Sequence, residues 1–187
     1  VNKMSNKIEK YNVKIRGTRP LLMNSCRSMV EDKMETPSRG KKEISLKEEA
    51  DRLLYMDEDG KPIVPAFCVL SCLRKSATNF KVPGRGKKTF KDFIYSGIEI
   101  EPEDIPLVSD DGWKVDLKPV VIGRARIIKA RPKFRQWELE FQAKIIDPIV
   151  TPTYFKEILV DAGKYNGLLD FRPLFGLFEV VEFEKVE

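Results

Sequence analysis

The most chemically biased stretch of the chain lies between Lys118 and Arg135. It holds Lys118, Arg124, Arg126, Lys129, Arg131, Lys133 and Arg135, with no acidic residue among them. Such a row does electrostatic rather than bond-making chemistry: its cations neutralise phosphates and release condensed counterions, a large source of affinity for a nucleic-acid backbone. In a strand, residues two apart share a face. A regular strand here would aim Arg124 and Arg126 together, with Lys129, Arg131, Lys133 and Arg135 continuing the row toward a turn. Phe134 and Trp137 lie beside it as candidate platforms for base stacking. The plainer alternative is a solvated basic face on a highly charged protein.

A second basic segment is Pro83-Gly84-Arg85-Gly86-Lys87-Lys88, followed by Lys91. Its glycines let backbone N–H groups approach a phosphate, while Arg85, Lys87 and Lys88 add charge. The GxxxxGK(S/T) spacing of a Walker loop is absent, and a flexible exposed loop is the competing reading. Together the loop and the strand would clamp one nucleic-acid strand. A third segment, Asn166 to Phe178, carries Arg172, which either meets a phosphate or pairs with Asp170; its phenylalanines read better as packing.

Other chemistries find little footing. The chain has no histidine, which removes His-based acid/base catalysis, Ser-His-Asp and Cys-His arrangements and His-ligated metals. Cys68 and Cys72 stand one helical turn apart without further Cys or His, so they read as core residues rather than a zinc site; Cys26 is the third cysteine. Asp57, Glu58 and Asp59, and Asp110 with Asp111, sit in ordinary turns, which leaves a metal-dependent nuclease with slight support. The expectation is a binding protein with no catalytic residue, cofactor or metal.

The 187 residues suit one domain, 42% hydrophobic and 34% charged, with formal net charge +5. The polar N-terminus resembles no signal peptide and no apolar run approaches a membrane span. The reducing cytoplasm is therefore the expected location, with no membrane partner.

The elements that must position these residues follow from periodicity. Alternation predicts strands at 11–16, 119–130, 136–146 and 177–184; Pro119 and Gly123 are read as bends and the following turn is placed near Arg131–Arg135. Helices are predicted at 66–79 and 152–162, the latter opened by Thr151-Pro152. A capping box at Ser45–Glu48 opens a helix to about Tyr55, in competition with a hairpin through Asp57–Gly60. Residues 24–45 show no period. The order β-α-β-β-α-β gives an α+β fold with a ferredoxin-like, RRM-like core, a single domain over 1–187 with insertions at about 18–65 and 81–112.

This order, with a glycine-containing loop just before the last strand (Gly167 and Gly176), resembles the RAMP superfamily of CRISPR-associated RNA-binding proteins, especially the backbone subunits that coat guide RNA. The resemblance implies a ferredoxin-like core with a thumb-like insertion, for which 24–45 or 81–112 are candidates. It also implies binding of RNA or another single strand. The family's catalytic histidine has no counterpart here. The segments RARIIKARPKFRQWELEF and GLLDFRPLFGLFEVVEF are also similar to prophage proteins. The partners implied are a single-stranded nucleic acid, RNA more than DNA, and a homo-oligomer or ribonucleoprotein assembly; an oligomerising phage structural protein is the alternative.

Overall fold

The computed structural model describes residues 8–27, 29 and 44–187. It is an α+β protein with two antiparallel sheets. The chain runs through β1 (Glu9–Gly17), β2 (Leu21–Leu22), α1 (Leu46–Asp51), β3 (Ile63–Pro65), α2 (Ala66–Ser76), α3 (Ile94–Gly97), β4 (Ile98–Glu101), β5 (Asp104–Val108), β6 (Trp113–Ile122), β7 (Ala125–Phe134), β8 (Glu138–Ile145), α4 (Pro152–Asp161) and β9 (Phe178–Lys185).

The main sheet has the order β3-β5-β8-β1-β9, with β4 also on β8. Alternation in β1 and β8 sets its register: Tyr11, Val13 and Ile15 stand opposite Ala143, Phe141 and Leu139, all buried. These side chains join Cys72 and Leu73 of α2 and Phe155, Ile158 and Leu159 of α4 in one core. Both helices have one apolar side, and α4 is capped by Thr151, whose hydroxyl accepts from the Tyr154 N–H. Trp137 anchors the end of the sheet. It is 1% exposed, donates from Nε1 to the Arg19 carbonyl at 2.9 Å and meets Phe178 edge to face.

Within the segment expected as an insertion at about 81–112, the apolar-polar alternation of Ile98-Glu99-Ile100 forms a strand, and residues 98–108 supply β4 and β5, which lie one after the other along β8. One expectation about the strands is corrected. The strand expected at 119–130 is two strands of a separate hairpin. Gly123 and Arg124 form a two-residue turn between the paired Ile122 and Ala125, with Gly123 at φ 62°. A Gly-X pair between β-branched runs is the hairpin-turn chemistry that matches strand twist. β6, β7 and the short β2 make the second sheet.

At 44–63 both competing signals are realised. The capping box forms, with Ser45 N–H donating to Glu48 Oε2 at 2.8 Å. The helix then stops at Asp51, because Tyr55 accepts from the Ile63 N–H at 3.0 Å across the Asp57–Gly60 turn. Most of the unpatterned 24–45 segment lies outside the described residues. No helix among the described residues is long and apolar enough to cross a membrane.

Candidate nucleic-acid interface

The β6–β7 hairpin carries most of the basic row, and strand alternation divides it. Lys129, Arg131 and Lys133 share one face of β7 with their cross-strand partners Lys118, Asp116 and Lys114; Arg126 is on the other. The single continuous row expected from the sequence is therefore replaced by two faces and a tip. The tip holds Arg124 in the turn and Arg126 beside it, both exposed and without an ion pair among the described residues. Exposed Val121, Ile127 and Ile128 surround them.

Nearer its base the hairpin's cations are engaged internally. Asp116, 6% exposed, sits between Lys118 at 2.8 Å and Lys133 at 2.5 Å. Burial alone would raise its carboxyl, but the hydrogen bonds from Lys118 and Lys133 outweigh this and hold it below the usual carboxylate range. A depressed folded-state pKa means this clamp stabilises the fold above the unfolded pKa and is lost as pH falls through the folded value. Wild-type stability should therefore decline below about pH 4, and Asp116→Asn should flatten that decline in urea melts run across the acid range. An equally steep decline in the variant would assign the acid sensitivity elsewhere.

Arg131 is 5% exposed, with Nε 2.6 Å from Asp170 Oδ2 and its guanidinium over the Phe171 ring at 5.1 Å. A buried cation is tolerated only when paired in this way. Arg131 is thus a structural tie between the hairpin and the 167–176 loop and is not free for a phosphate. Lys118 makes a parallel contact over Phe175 at 5.3 Å. The loop is closed at its base by the Leu168 N–H donating to the Gly176 carbonyl at 2.9 Å. Asp170 is taken by Arg131, so Arg172 is not its partner; Arg172 stands exposed at the rim of a cleft against α2.

The aromatic expectations also change. Trp137 and Phe134 are both 1% exposed, so neither ring is available to stack on a base. Phe134 ends β7 and Trp137 stands just before β8, both turned into the core. Arg135 is exposed in the β7–β8 turn, and Lys129 donates to Asn24 Oδ1 at 3.2 Å. Arg85, Lys87 and Lys88 are exposed on their own loop, with Arg85 and Lys88 over the Phe93 ring. No hydrogen bond, ion pair or ring contact among the described residues joins that loop to the hairpin.

The open face of the main sheet is not basic. Lys14 pairs with Glu138 and Glu140 at 3.1 and 2.8 Å, Arg16 with Glu138 at 2.6 Å, and Lys144 with Glu99 and Glu101. Exposed pairs of this kind contribute little stability, but they cancel charge where an RRM-like surface would need it. Of the three cysteines Cys26 is exposed and the other two are buried; burial pushes the Cys68 thiol up to about 11 and Cys72 to about 12, which keeps these two protonated. Among the described residues no group of Cys, Asp and Glu is placed to hold a metal ion.

The architecture has a match among solved structures. Over 98% of its length the chain superposes on a chain of the type III-B Cmr-beta complex, at TM-score 0.62 and 12% identity. The chain is similar in fold to a Cmr subunit. That structure is of Cmr-beta bound to cognate target RNA, and this chain spans 62% of the Cmr chain's length. Cmr6 from Pyrococcus furiosus is also similar, at TM-score 0.43 and 14% identity over 94% of this chain and 99% of that one. No protein-family model and no curated protein sequence matches the chain. The expected resemblance is met in fold by the Cmr-beta chain.

Proposed function

We propose that this chain is a non-catalytic subunit that binds a single strand of nucleic acid, RNA in preference to DNA, within a ribonucleoprotein assembly. The observation that carries this reading is the hairpin tip, where Arg124 and Arg126 stand exposed and unpaired while the cations nearer the core are neutralised by Asp116 and Asp170. Charge left uncompensated on a protruding element is charge available to phosphates. The likeness in fold to a chain from an RNA-bound Cmr complex supports RNA as the polyanion. The sheet order β4/β5-β8-β1-β9, with α2 and α4 in one core, supports a ferredoxin-like core from which the β6–β7 hairpin extends as the thumb. The exposed Arg85, Lys87 and Lys88 loop serves as a second, weaker phosphate contact.

The test is fluorescence anisotropy with labelled single strands of RNA and DNA at two salt concentrations. The expected result is RNA binding that weakens steeply with salt, by roughly 0.7 in log K per log salt for each phosphate contacted, with DNA bound less tightly. Folded protein that binds neither strand at low salt would reduce the hairpin tip to surface charge.

A further inference from the structure

The first turn of α2 and the 167–176 loop enclose a cleft of about 260 Å³ that the basic residues do not explain. Its walls include Asn24, Tyr55, Phe67, Ser71, Asp170 and Arg172. This is below the usual range for a whole small-molecule ligand and of the right order for one planar heterocycle. Three observations indicate what it takes. Phe67 is 61% exposed, a large aromatic left open where α2 begins, and it lines the cleft. Polar groups of both kinds converge beside it: the Asn24 amide, the Ser71 hydroxyl, the Asp170 carboxylate and the Arg172 guanidinium, the last without a hydrogen bond or ion pair among the described residues. Two of these walls are tied to the hairpin, Asn24 by Lys129 at 3.2 Å and Asp170 by Arg131 at 2.6 Å.

An exposed ring, a ring-sized space and mixed donors and acceptors are the means by which proteins hold an unstacked base. The ties place that space at the foot of the hairpin whose tip carries the free arginines. We infer that the cleft receives one unpaired base of the bound strand, stacked on Phe67, with Arg172 on the adjoining phosphate. This rests on the single-strand reading above and adds a base-reading subsite to a surface that otherwise meets only the backbone. Burial raises the Tyr55 phenol, so it remains a neutral group in the cleft wall at physiological pH.

The test compares a labelled RNA strand with a strand of equal length made of abasic sugar-phosphate, for wild type, Phe67→Ala and Phe67→Tyr. Phe67 is exposed, and thermal melts confirm that each variant folds. Wild type is expected to prefer the base-bearing strand by about 10-fold, within the range of one stacked base. Phe67→Ala should lose that preference without changing its affinity for the abasic strand, and Phe67→Tyr should keep it. If Phe67→Ala binds both strands as wild type does, or if Phe67→Tyr loses the preference as Phe67→Ala does, no base stacks there and the backbone reading survives alone. If wild type binds neither strand, the single-strand reading fails and the cleft proposal falls with it.

Discussion

Reversing the charge of Arg124 and Arg126 together, as Arg124→Glu and Arg126→Glu, is expected to weaken single-strand binding on the order of 100-fold at low ionic strength and to leave the fold intact. Two terms contribute. Each arginine lost removes a phosphate neutralisation, and each glutamate gained adds repulsion at the same place. With two fewer contacts the slope of log K against log salt should become shallower by about 1.4. Near 1 M salt, where screening acts within about 3 Å, the variant and wild type should converge. Both side chains are exposed at the hairpin tip, away from the core, and surface changes of this kind alter stability by about 0.5 kcal/mol at most. Anisotropy titrations across a salt series, with melts in parallel, read both effects. A folded double variant with unchanged affinity would remove the hairpin tip as the binding surface. The contrast with Arg131 is instructive. Arg131→Glu would leave Asp170 facing a second carboxylate in a buried setting, so lost binding there would report lost folding rather than a lost contact.

That contrast shows what periodicity carries and what it omits. The strands at 9–17, 138–145 and 178–185 and the helices at 66–76 and 152–161 were legible, because each has one apolar face whose period is its own signature. Each packs into the single core. The β6–β7 hairpin is hidden in the sequence because Val120-Val121-Ile122 and Ile127-Ile128 give a nearly continuous apolar run, in which Gly123 alone reads as a bend although Gly123-Arg124 is the turn. Reading that pair as a two-residue turn would have placed Arg124 at a tip and freed residues 98–108 to join the main sheet. The division of the basic row into free and engaged cations was not legible. It depends on Asp116 and Asp170, the second of them 39 residues beyond Arg131 in the chain, and pairing across that separation is set by the fold. Trp137 and Phe134 show the same limit: an aromatic beside a cation has the same sequence pattern whether it stacks on a base or fills a core. The cleft at Phe67 was missed because a phenylalanine on the apolar helix pattern of 66–79 reads as core, whereas α2 turns that position outward.

Gly176→Ala should be among the most destabilising single substitutions in the protein, and its cost has two separable parts. Gly176 has φ +76°, where an L side chain is disfavoured by about 1–2 kcal/mol. A Cβ built there would also lie 2.0 Å from the Leu168 carbonyl oxygen, a backbone atom that cannot swing aside. The close approach exists because Leu168 and Gly176 close the 167–176 loop, while the Gly176 N–H donates to the Pro20 carbonyl at 2.8 Å. Overpacking of this kind adds about 1–3 kcal/mol, so a total near 3 kcal/mol or more is expected. At about 2–4 °C per kcal/mol for a domain of this size, the melting temperature should fall by roughly 10 °C. Gly84→Ala is the matched control. Gly84 has φ +72° but nothing within 4 Å of a built Cβ, so it bears only the backbone part. The difference between the two variants in urea or thermal melts isolates the steric part, and equal losses would show that the loop closure relaxes freely. The consequence extends to function, because the loop carries Asp170, the partner of Arg131, and Arg172 at the cleft rim. A folded Gly176→Ala protein should keep its salt-dependent attraction to the hairpin tip yet lose its preference for base-bearing over abasic strands, since the far wall of the cleft would no longer be held in register with Phe67.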